Sequence, residues 1–194
     1  MSNAAMAGRR ILKNAELAYL IKFISLMAVF YYFHVVYIGI TDPGGKFYSG
    51  FLHEHLDYIS WLRKSILHTA DFIVHGFGLN PYISDAFTLR MADGPGVIIG
   101  FTCLGYGVMS FWGAFVLAQE DSWLQKLKWS LVGIVGIWFI NCGRVAVLLV
   151  ALHKQWQVNR YLDHHAMFNV AAYLLIIALI YLYYSKTRKT ILDH

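Results

Sequence analysis

The sequence predicts an all-α integral membrane protein with about four transmembrane helices, an amphipathic outer helix and a short β-hairpin. Apolar residues make up 58% of its 194 residues and charged residues only 14%, whereas roughly a quarter of the residues of a soluble domain are charged. The charges also separate long apolar segments instead of covering them. So much apolar surface must face lipid, and we expect a single membrane domain over residues 1–194.

The four predicted spans are the long apolar segments of the chain. The first, residues 17–40, has the roughly 20 residues that a helix needs to cross a bilayer. The other three cover residues 104–118, 129–152 and 167–184. No small-residue cleavage site closes the first segment, so we expect it to be a span and not a cleaved signal peptide.

Residues 50–78 have a different pattern. Apolar residues recur at steps of three and four, and charged residues, Arg63 among them, occupy the other faces. This predicts an amphipathic helix that lies on the membrane or packs on other helices. A fifth span at 66–79 is the alternative. Residues 87–100 hold two strand-like runs around an Asp-Gly-Pro-Gly turn, which predicts a hairpin.

The placement of charge predicts the topology. With a cytoplasmic N-terminus, four spans put both termini inside, and the short inner segments then carry a group of basic residues: Arg9, Arg10, Lys13, Lys126, Lys128, Lys186, Arg188 and Lys189. This agrees with the positive-inside rule. Although the net charge is +5, no basic run is long enough to predict nucleic-acid binding. The two cysteines lie in or beside apolar segments, so no disulfide framework is expected.

Three reactive side chains fall at the outer ends of three predicted spans. Cys103 lies at the outer end of the second span and is expected to begin its helix, and His164 and His165 immediately precede the fourth span. Counted from Lys128 on the inner side, Arg144 lies about 24 Å along a hydrocarbon core about 30 Å thick. The sequence therefore predicts a thiol, a guanidinium and an imidazole at one depth near the outer face.

Such a group can carry out cysteine chemistry. A helix N-terminus and an imidazole favour the thiolate of Cys103, and a histidine can act as base and then as acid. Arg144 can hold an oxyanion or a substrate carboxylate, and a charge inside a span is a functional candidate by default. Each residue also has an ordinary explanation: an inert cysteine, a snorkelling arginine, or a histidine pair that adds interfacial polarity.

Other residues give weaker signals. His53 and His55 are two positions apart and point away from each other on a helix, which does not favour a metal site. His34 is expected to be satisfied by packing and hydrogen bonds. Gly133 and Gly136 are expected to allow close helix contact. The sequence implies no metal and no organic cofactor.

Three blocks of sequence resemble those of the exosortase/archaeosortase family, and the short chain is most similar to compact exosortase-Y-like members. The blocks are Cys103-Leu104-Gly105-Tyr106-Gly107, then Asn141-Cys142-Gly143-Arg144, then Asp163-His164-His165 followed by Phe168-Asn169. They occur in the family's order. The resemblance implies an exosortase-like catalytic core over residues 85–185.

The resemblance also implies a function. It indicates a membrane cysteine protease or transpeptidase whose active site faces the outer, periplasmic side of a bacterial inner membrane. Its expected partners are the C-terminal sorting-signal helix of exported proteins, membrane lipid and a surface acceptor such as a lipid-linked glycan, with no nucleic acid. Carried over, Cys103 is the nucleophile, His164 the acid–base residue and Arg144 the electrostatic or substrate-orienting residue, while His165 is the alternative to His164.

The chain departs from the family pattern in two places. Leu104 follows the cysteine where a small residue is usual, and Phe168-Asn169 stand where the best-known bacterial members have Gly-Trp. Two other functions remain as alternatives. One is a non-catalytic membrane scaffold in an exopolysaccharide or secretion assembly, which would tolerate the loss of Cys103. The other is a small transporter or metal-binding membrane protein that uses the nine histidines.

Overall fold

The computed structural model describes the backbone of residues 3–156 and 164–192, and the side chains of residues 15–101, 103–156, 170 and 172–186. The helices are α1 (Asn3–Thr41), α2 (Gly50–Leu56), α3 (Tyr58–Gly76), α4 (Tyr106–Ala118), α5 (Trp123–His153) and α6 (His164–Leu192). The strands are β1 (Pro81–Ile83), β2 (Thr88–Met91) and β3 (Gly96–Ile98), and a 3-10 helix, η1 (Phe101–Leu104), precedes α4.

Within the described residues, two helices are long and apolar enough to cross a membrane. They are the Ala15–Thr41 part of α1 and the whole of α5, and they coincide with the first and third predicted spans. The second and fourth predicted spans fall on shorter apolar helices, α4 and the Ala172–Lys186 part of α6. With 13 residues, α4 is about 20 Å long.

Helix α5 packs closely against α4 on one side. The indole N–H of Trp112 donates to the main-chain carbonyl of Trp129 at 2.9 Å. Gly133 lies directly against the same indole, so that any Cβ at this position would overlap the ring. The close helix contact predicted for Gly133 is confirmed, because the absence of a side chain there is what admits a buried tryptophan.

Helix α6 runs antiparallel to α5 and also contacts α4, since the ring of Tyr183 lies 5.7 Å from that of Phe115. The ring of Tyr183 lies 5.5 Å from that of Trp129, and Leu175 lies beside Gly136, 3.6 Å from where a Cβ would stand. The contact predicted for Gly136 is therefore present, although it is looser than the one at Gly133. Helices α4, α5 and α6 therefore share one apolar core, to which Trp112, Trp129 and Tyr183 belong.

Helix α1 lies against α4, with Phe30 packed on Gly113. At the other end of this contact, the ammonium group of Lys22 donates to the carbonyl of Ala118 at 3.2 Å and so satisfies a free carbonyl at the C-terminus of α4. The outer face of α1 is apolar and exposed, Val29 being one example. Such a face suits contact with lipid.

The single amphipathic helix predicted over residues 50–78 is two helices, α2 and α3. Asp57 separates them, because its carboxylate accepts hydrogen bonds from the amide of Ser60 at 3.0 Å and its hydroxyl at 2.6 Å, and so caps α3. Of the two locations predicted for this region, packing on other helices is confirmed. Helix α3 lies against α5, and the indole of Trp138 donates to Ser65 at 2.9 Å.

The predicted hairpin is present and has one further strand. Strands β2 and β3 are antiparallel, with Leu89 opposite Val97, and β1 pairs with the other edge of β2, where Tyr82 lies opposite Arg90. Leu89 and Val97 belong to the same core as α3 and α5. Strand β1 was not predicted from the sequence, because three residues are too few to show an alternating pattern.

Candidate active site

Cys103 lies in η1, between the sheet and α4. Its amide donates to the carbonyl of Gly100 at 3.0 Å, and its side chain is partly buried against the core that α3, α5 and the sheet share. The sequence predicts that Cys103 itself begins the following helix. Instead, Gly105 adopts a left-handed conformation, with φ of 79°, and serves as the N-cap of α4. Cys103 is therefore close to the free amides of the first turn but not part of it.

Asn141 ties this turn to α5. Its side-chain amide donates to the main-chain carbonyl of Leu104 at 3.1 Å, and both residues are buried. Gly105 makes the approach possible, because a Cβ there would lie only 2.6 Å from the Asn141 nitrogen. Glycine is thus required twice at this position, once for the positive φ and once for space. The contact joins the first and second sequence blocks directly.

Arg144 lies on α5 one turn beyond Asn141, on the same face of the helix. Helices α4 and α5 are antiparallel, and their register sets Leu104 against Asn141. Arg144 is consequently at the level of η1, so that the structure brings Cys103 and Arg144 to the same end of the helix pair. Arg144 is partly buried and already has a partner within the molecule.

The third predicted site residue is placed only by its backbone. Helix α6 begins at His164 and runs antiparallel to α5, which puts its first turn towards the end of α5 that holds Arg144. The side chains of His164 and His165 lie outside the described residues. The backbone thus directs the start of α6 towards the Arg144 end of α5, and the position of the imidazoles stays a prediction.

A cluster of polar side chains adjoins the start of α4. Nδ1 of His34 and the hydroxyl of Tyr58 are hydrogen-bonded at 2.7 Å, and the imidazole stacks on Tyr106 with ring centroids 4.6 Å apart. The hydrogen bonding predicted for His34 is confirmed. Tyr106 and Ser110 line a mostly apolar cavity of about 530 Å³ between α1, α3, α4 and α5. Within the described part of the chain, neither hydroxyl has a hydrogen-bond partner.

Arg63 is a buried charged residue that the sequence pattern does not identify. The pattern predicts that it lies on the polar side of an amphipathic helix, and this is wrong: only 3% of the residue is exposed. It belongs to the buried face of α3, whose members are Ile59, Arg63, Ile66, Leu67, Ala70 and Val74. Burial lowers the pKa of its guanidinium, and the nearby Tyr106 acts in the opposite direction. The spacing from Ile59 to Arg63 to Ile66 was the signal that could have identified it.

The histidines of α2 make local contacts. Nδ1 of His53 lies 2.8 Å from the carbonyl of Thr41, and Nδ1 of His55 lies 3.1 Å from the carbonyl of Phe51. Among the side chains that the structure describes, no three His, Cys, Asp or Glu residues gather in a way that could hold a metal ion.

Comparison with known proteins identifies the family. Residues 47–183 match the family model described as Transmembrane exosortase (Exosortase_EpsH). This range covers well over half of the chain and takes in α2, α3, the sheet and all three sequence blocks. No curated protein and no solved structure matches the chain. With its long apolar helices and this match, the chain is a membrane protein that belongs to the transmembrane exosortase family.

Proposed function

We propose that this protein is a membrane cysteine protease or transpeptidase that cleaves a C-terminal sorting signal on exported proteins and passes them to a surface acceptor. Cys103 is the nucleophile, Arg144 the electrostatic residue and His164 the acid–base residue. The observation that carries the proposal is the hydrogen bond from Asn141 to the Leu104 carbonyl. It fixes the cysteine turn against the helix of Arg144, as a site for nucleophilic chemistry requires.

The proposed reaction has two steps. The Cys103 thiolate attacks the scissile carbonyl, and the C–N bond breaks as His164 donates a proton to the leaving amine, which leaves a thioester on Cys103. Water or the acceptor nucleophile then attacks the thioester, gives its proton to His164 and releases the thiolate. Arg144 stabilises the oxyanion that forms in both steps.

The proposal includes four spans, with both termini in the cytoplasm and the site at the periplasmic face of the inner membrane. Helices α1 and α5 are long enough to span, while α4 and the apolar part of α6 are shorter. Topology is tested with a membrane-impermeant maleimide on intact spheroplasts. Labelling of Cys103 from outside supports the arrangement, and labelling only from the cytoplasmic side of inverted vesicles contradicts it.

The catalytic assignment is tested through the reactivity of Cys103 in the purified full chain. A limiting thiol-specific probe is applied across a pH series to the wild type and to Cys103→Ala, Arg144→Ala and His164→Ala. Cys142 is buried in α5 and serves as the internal control thiol. We expect Cys103 to label faster than an ordinary thiol at neutral pH, and both partner substitutions to slow it.

The opposite result would favour a different function. If Cys103 labels like an ordinary thiol and neither Arg144→Ala nor His164→Ala changes the rate, the enzyme proposal fails. A non-catalytic scaffold in an exopolysaccharide or secretion assembly would then fit the family membership better, since a scaffold does not need an activated thiol.

A further inference from the structure

The guanidinium of Arg63 lies over two aromatic rings. Its central carbon lies 4.3 Å from the centroid of the Phe87 ring and 4.8 Å from that of Phe101. A planar cation stacks well on aromatic faces, but such contacts leave the N–H groups at the edge of the guanidinium without acceptors. The rings therefore fix the orientation of the group and do not replace its hydrogen bonds.

Among the residues that the structure describes, no acidic side chain forms an ion pair with Arg63, as one normally does with a buried arginine. Nε and Nη2 are buried and have no hydrogen-bond partner within the described part of the chain. Asp57 is near enough to influence Arg63 electrostatically. However, its two carboxylate oxygens accept from Ser60, and it makes no ion pair with Arg63. A buried cation with free donors is costly unless something else in the functional complex satisfies them.

The position of Arg63 connects it to the proposed nucleophile. Phe101, which stacks on the guanidinium, is in the same short helix as Cys103. Phe101 and Tyr106 also line a cavity of about 320 Å³ beside α1. Phe101 therefore contacts Arg63, lines this cavity and lies two residues from Cys103.

We infer that Arg63 binds a carboxylate of the substrate peptide next to the bond that Cys103 attacks. The inference rests on the function proposed above and adds a specificity-determining residue to it. The two forked donors of a guanidinium match the two oxygens of a carboxylate, and exclusion of water strengthens that pairing. Arg63 thus selects for an acidic residue in the sorting signal, while Arg144 remains the residue for the oxyanion.

The test uses two reagents that differ only in charge. N-iodoacetyl-glutamate amide and N-iodoacetyl-glutamine amide both alkylate a thiolate, which displaces iodide, and rates at Cys103 are read by peptide mass spectrometry. We expect wild-type Cys103 to prefer the glutamate reagent about tenfold, as a charge-assisted hydrogen bond predicts. In Arg63→Gln this preference should disappear, so that the ratio of the two rates falls to about one.

Two further variants sharpen the result. Lys64→Gln removes the neighbouring, exposed cation of α3 and should keep the full preference. Arg63→Lys keeps the positive charge but lacks the two forked donors of the guanidinium. It should retain part of the preference for the glutamate reagent, and it serves as the test variant if Arg63→Gln does not fold. A preference that survives in both Arg63 variants, or that is lost equally in Lys64→Gln, would overturn the inference.

A second readout separates this inference from the proposed function. Thermal unfolding is measured with N-acetyl-glutamate amide, N-acetyl-glutamine amide or inorganic phosphate present. Stabilisation of the wild type by the glutamate compound alone, and its loss in Arg63→Gln, supports the carboxylate site even if Cys103 proves unreactive and the enzyme proposal fails. Stabilisation by phosphate without any effect of the glutamate compound would indicate a lipid phosphate site and overturn the inference.

Discussion

The side-chain amide of Asn141 and the main-chain carbonyl of Leu104 form a hydrogen bond of 3.1 Å across the α4–α5 contact. Oδ1 of Asn141 is buried without a hydrogen-bond partner among the described residues. Replacing Asn141 by Leu should lower the free energy of unfolding by about 1–3 kcal/mol, because the buried Leu104 carbonyl loses its donor, and removal of the unsatisfied oxygen offsets part of this cost. Chemical denaturation measures this difference.

The same substitution should have a larger effect on Cys103. Without the amide, the turn that carries the thiol loses its attachment to α5, so we expect slower labelling of Cys103 in Asn141→Leu. Asn80→Leu, at an exposed asparagine before β1, is the control and should label like the wild type. An unchanged rate in Asn141→Leu would show that the bond does not position the thiol.

Gly105 and Gly107 form a matched pair for testing the turn itself. Gly105 has a positive φ and no room for a Cβ beside Asn141, whereas a Cβ at Gly107 would meet no described neighbour within 4 Å. Gly105→Ala should cost about 1–2 kcal/mol for the backbone conformation alone, with an added cost for the overlap. Gly107→Ala should be nearly neutral. Chemical denaturation measures both, and equal effects would contradict the assigned role of Gly105.

The α4–α5 contact can be tested in the same way with Gly133 and Gly136. A methyl group at Gly133 overlaps the Trp112 indole, while one at Gly136 meets the Leu175 side chain at an ordinary 3.6 Å. We expect Gly133→Ala to destabilise the protein by about 1–3 kcal/mol, the usual cost of overpacking. Gly136→Ala should stay within about 0.5 kcal/mol of the wild type. Thermal unfolding in detergent would refute this if Gly136→Ala were the worse variant.

Asp85, which lies between β1 and β2, makes the stability of the folded protein depend on pH. Its carboxylate accepts from the amide of Phe87 at 2.8 Å, and this hydrogen bond holds the pKa of the Asp85 carboxyl below its ordinary value. The native state therefore binds the proton less tightly than the unfolded state does. The resulting stabilisation is present above about pH 4, and it is lost as the pH falls through the lower native pKa.

The pH dependence is measured with Asp85→Asn, which keeps an acceptor for Phe87 but does not titrate. The difference in unfolding midpoint between wild type and Asp85→Asn should shrink as the pH is lowered towards about 3. Asp93→Asn, in the exposed turn between β2 and β3, is the control. A difference that stays constant over the whole pH range would rule out the Asp85 effect.

The features that could be predicted from the sequence are those with a local or periodic signal. Long apolar runs identify α1 and α5, and the Asp-Gly-Pro-Gly turn identifies the β2–β3 hairpin. The break between α2 and α3 at Asp57 could not be predicted in this way, because the apolar periodicity continues across it. The break is made by the Asp57 side chain, which accepts a hydrogen bond from the Ser60 amide and so starts α3 as a new helix. The three sequence blocks led to the family, and they also contain the Asn141–Leu104 contact.

The site was predictable only in part, because burial of a charge depends on tertiary contacts. In the sequence, Arg63 has the position of a polar-face residue. In the structure it contacts Phe87 and Phe101, which come from segments distant in sequence, so its burial has no local signal. The position of Cys103 before the helix depends on the left-handed Gly105 and on Asn141. No pattern within the Cys103 block alone reveals those two constraints.

The shortness of α4 has a consequence for the surrounding bilayer. Its 13 residues reach about 20 Å, whereas a typical hydrocarbon core is about 30 Å thick. In the proposed four-span arrangement, lipid beside α4 must thin, or η1 must sink below the headgroups. Either adjustment places Cys103 at the boundary between hydrocarbon and headgroups, where the hydrophobic helix of a substrate's sorting signal would end. Hydrophobic mismatch at α4 would then make turnover depend on the acyl-chain length of the host membrane.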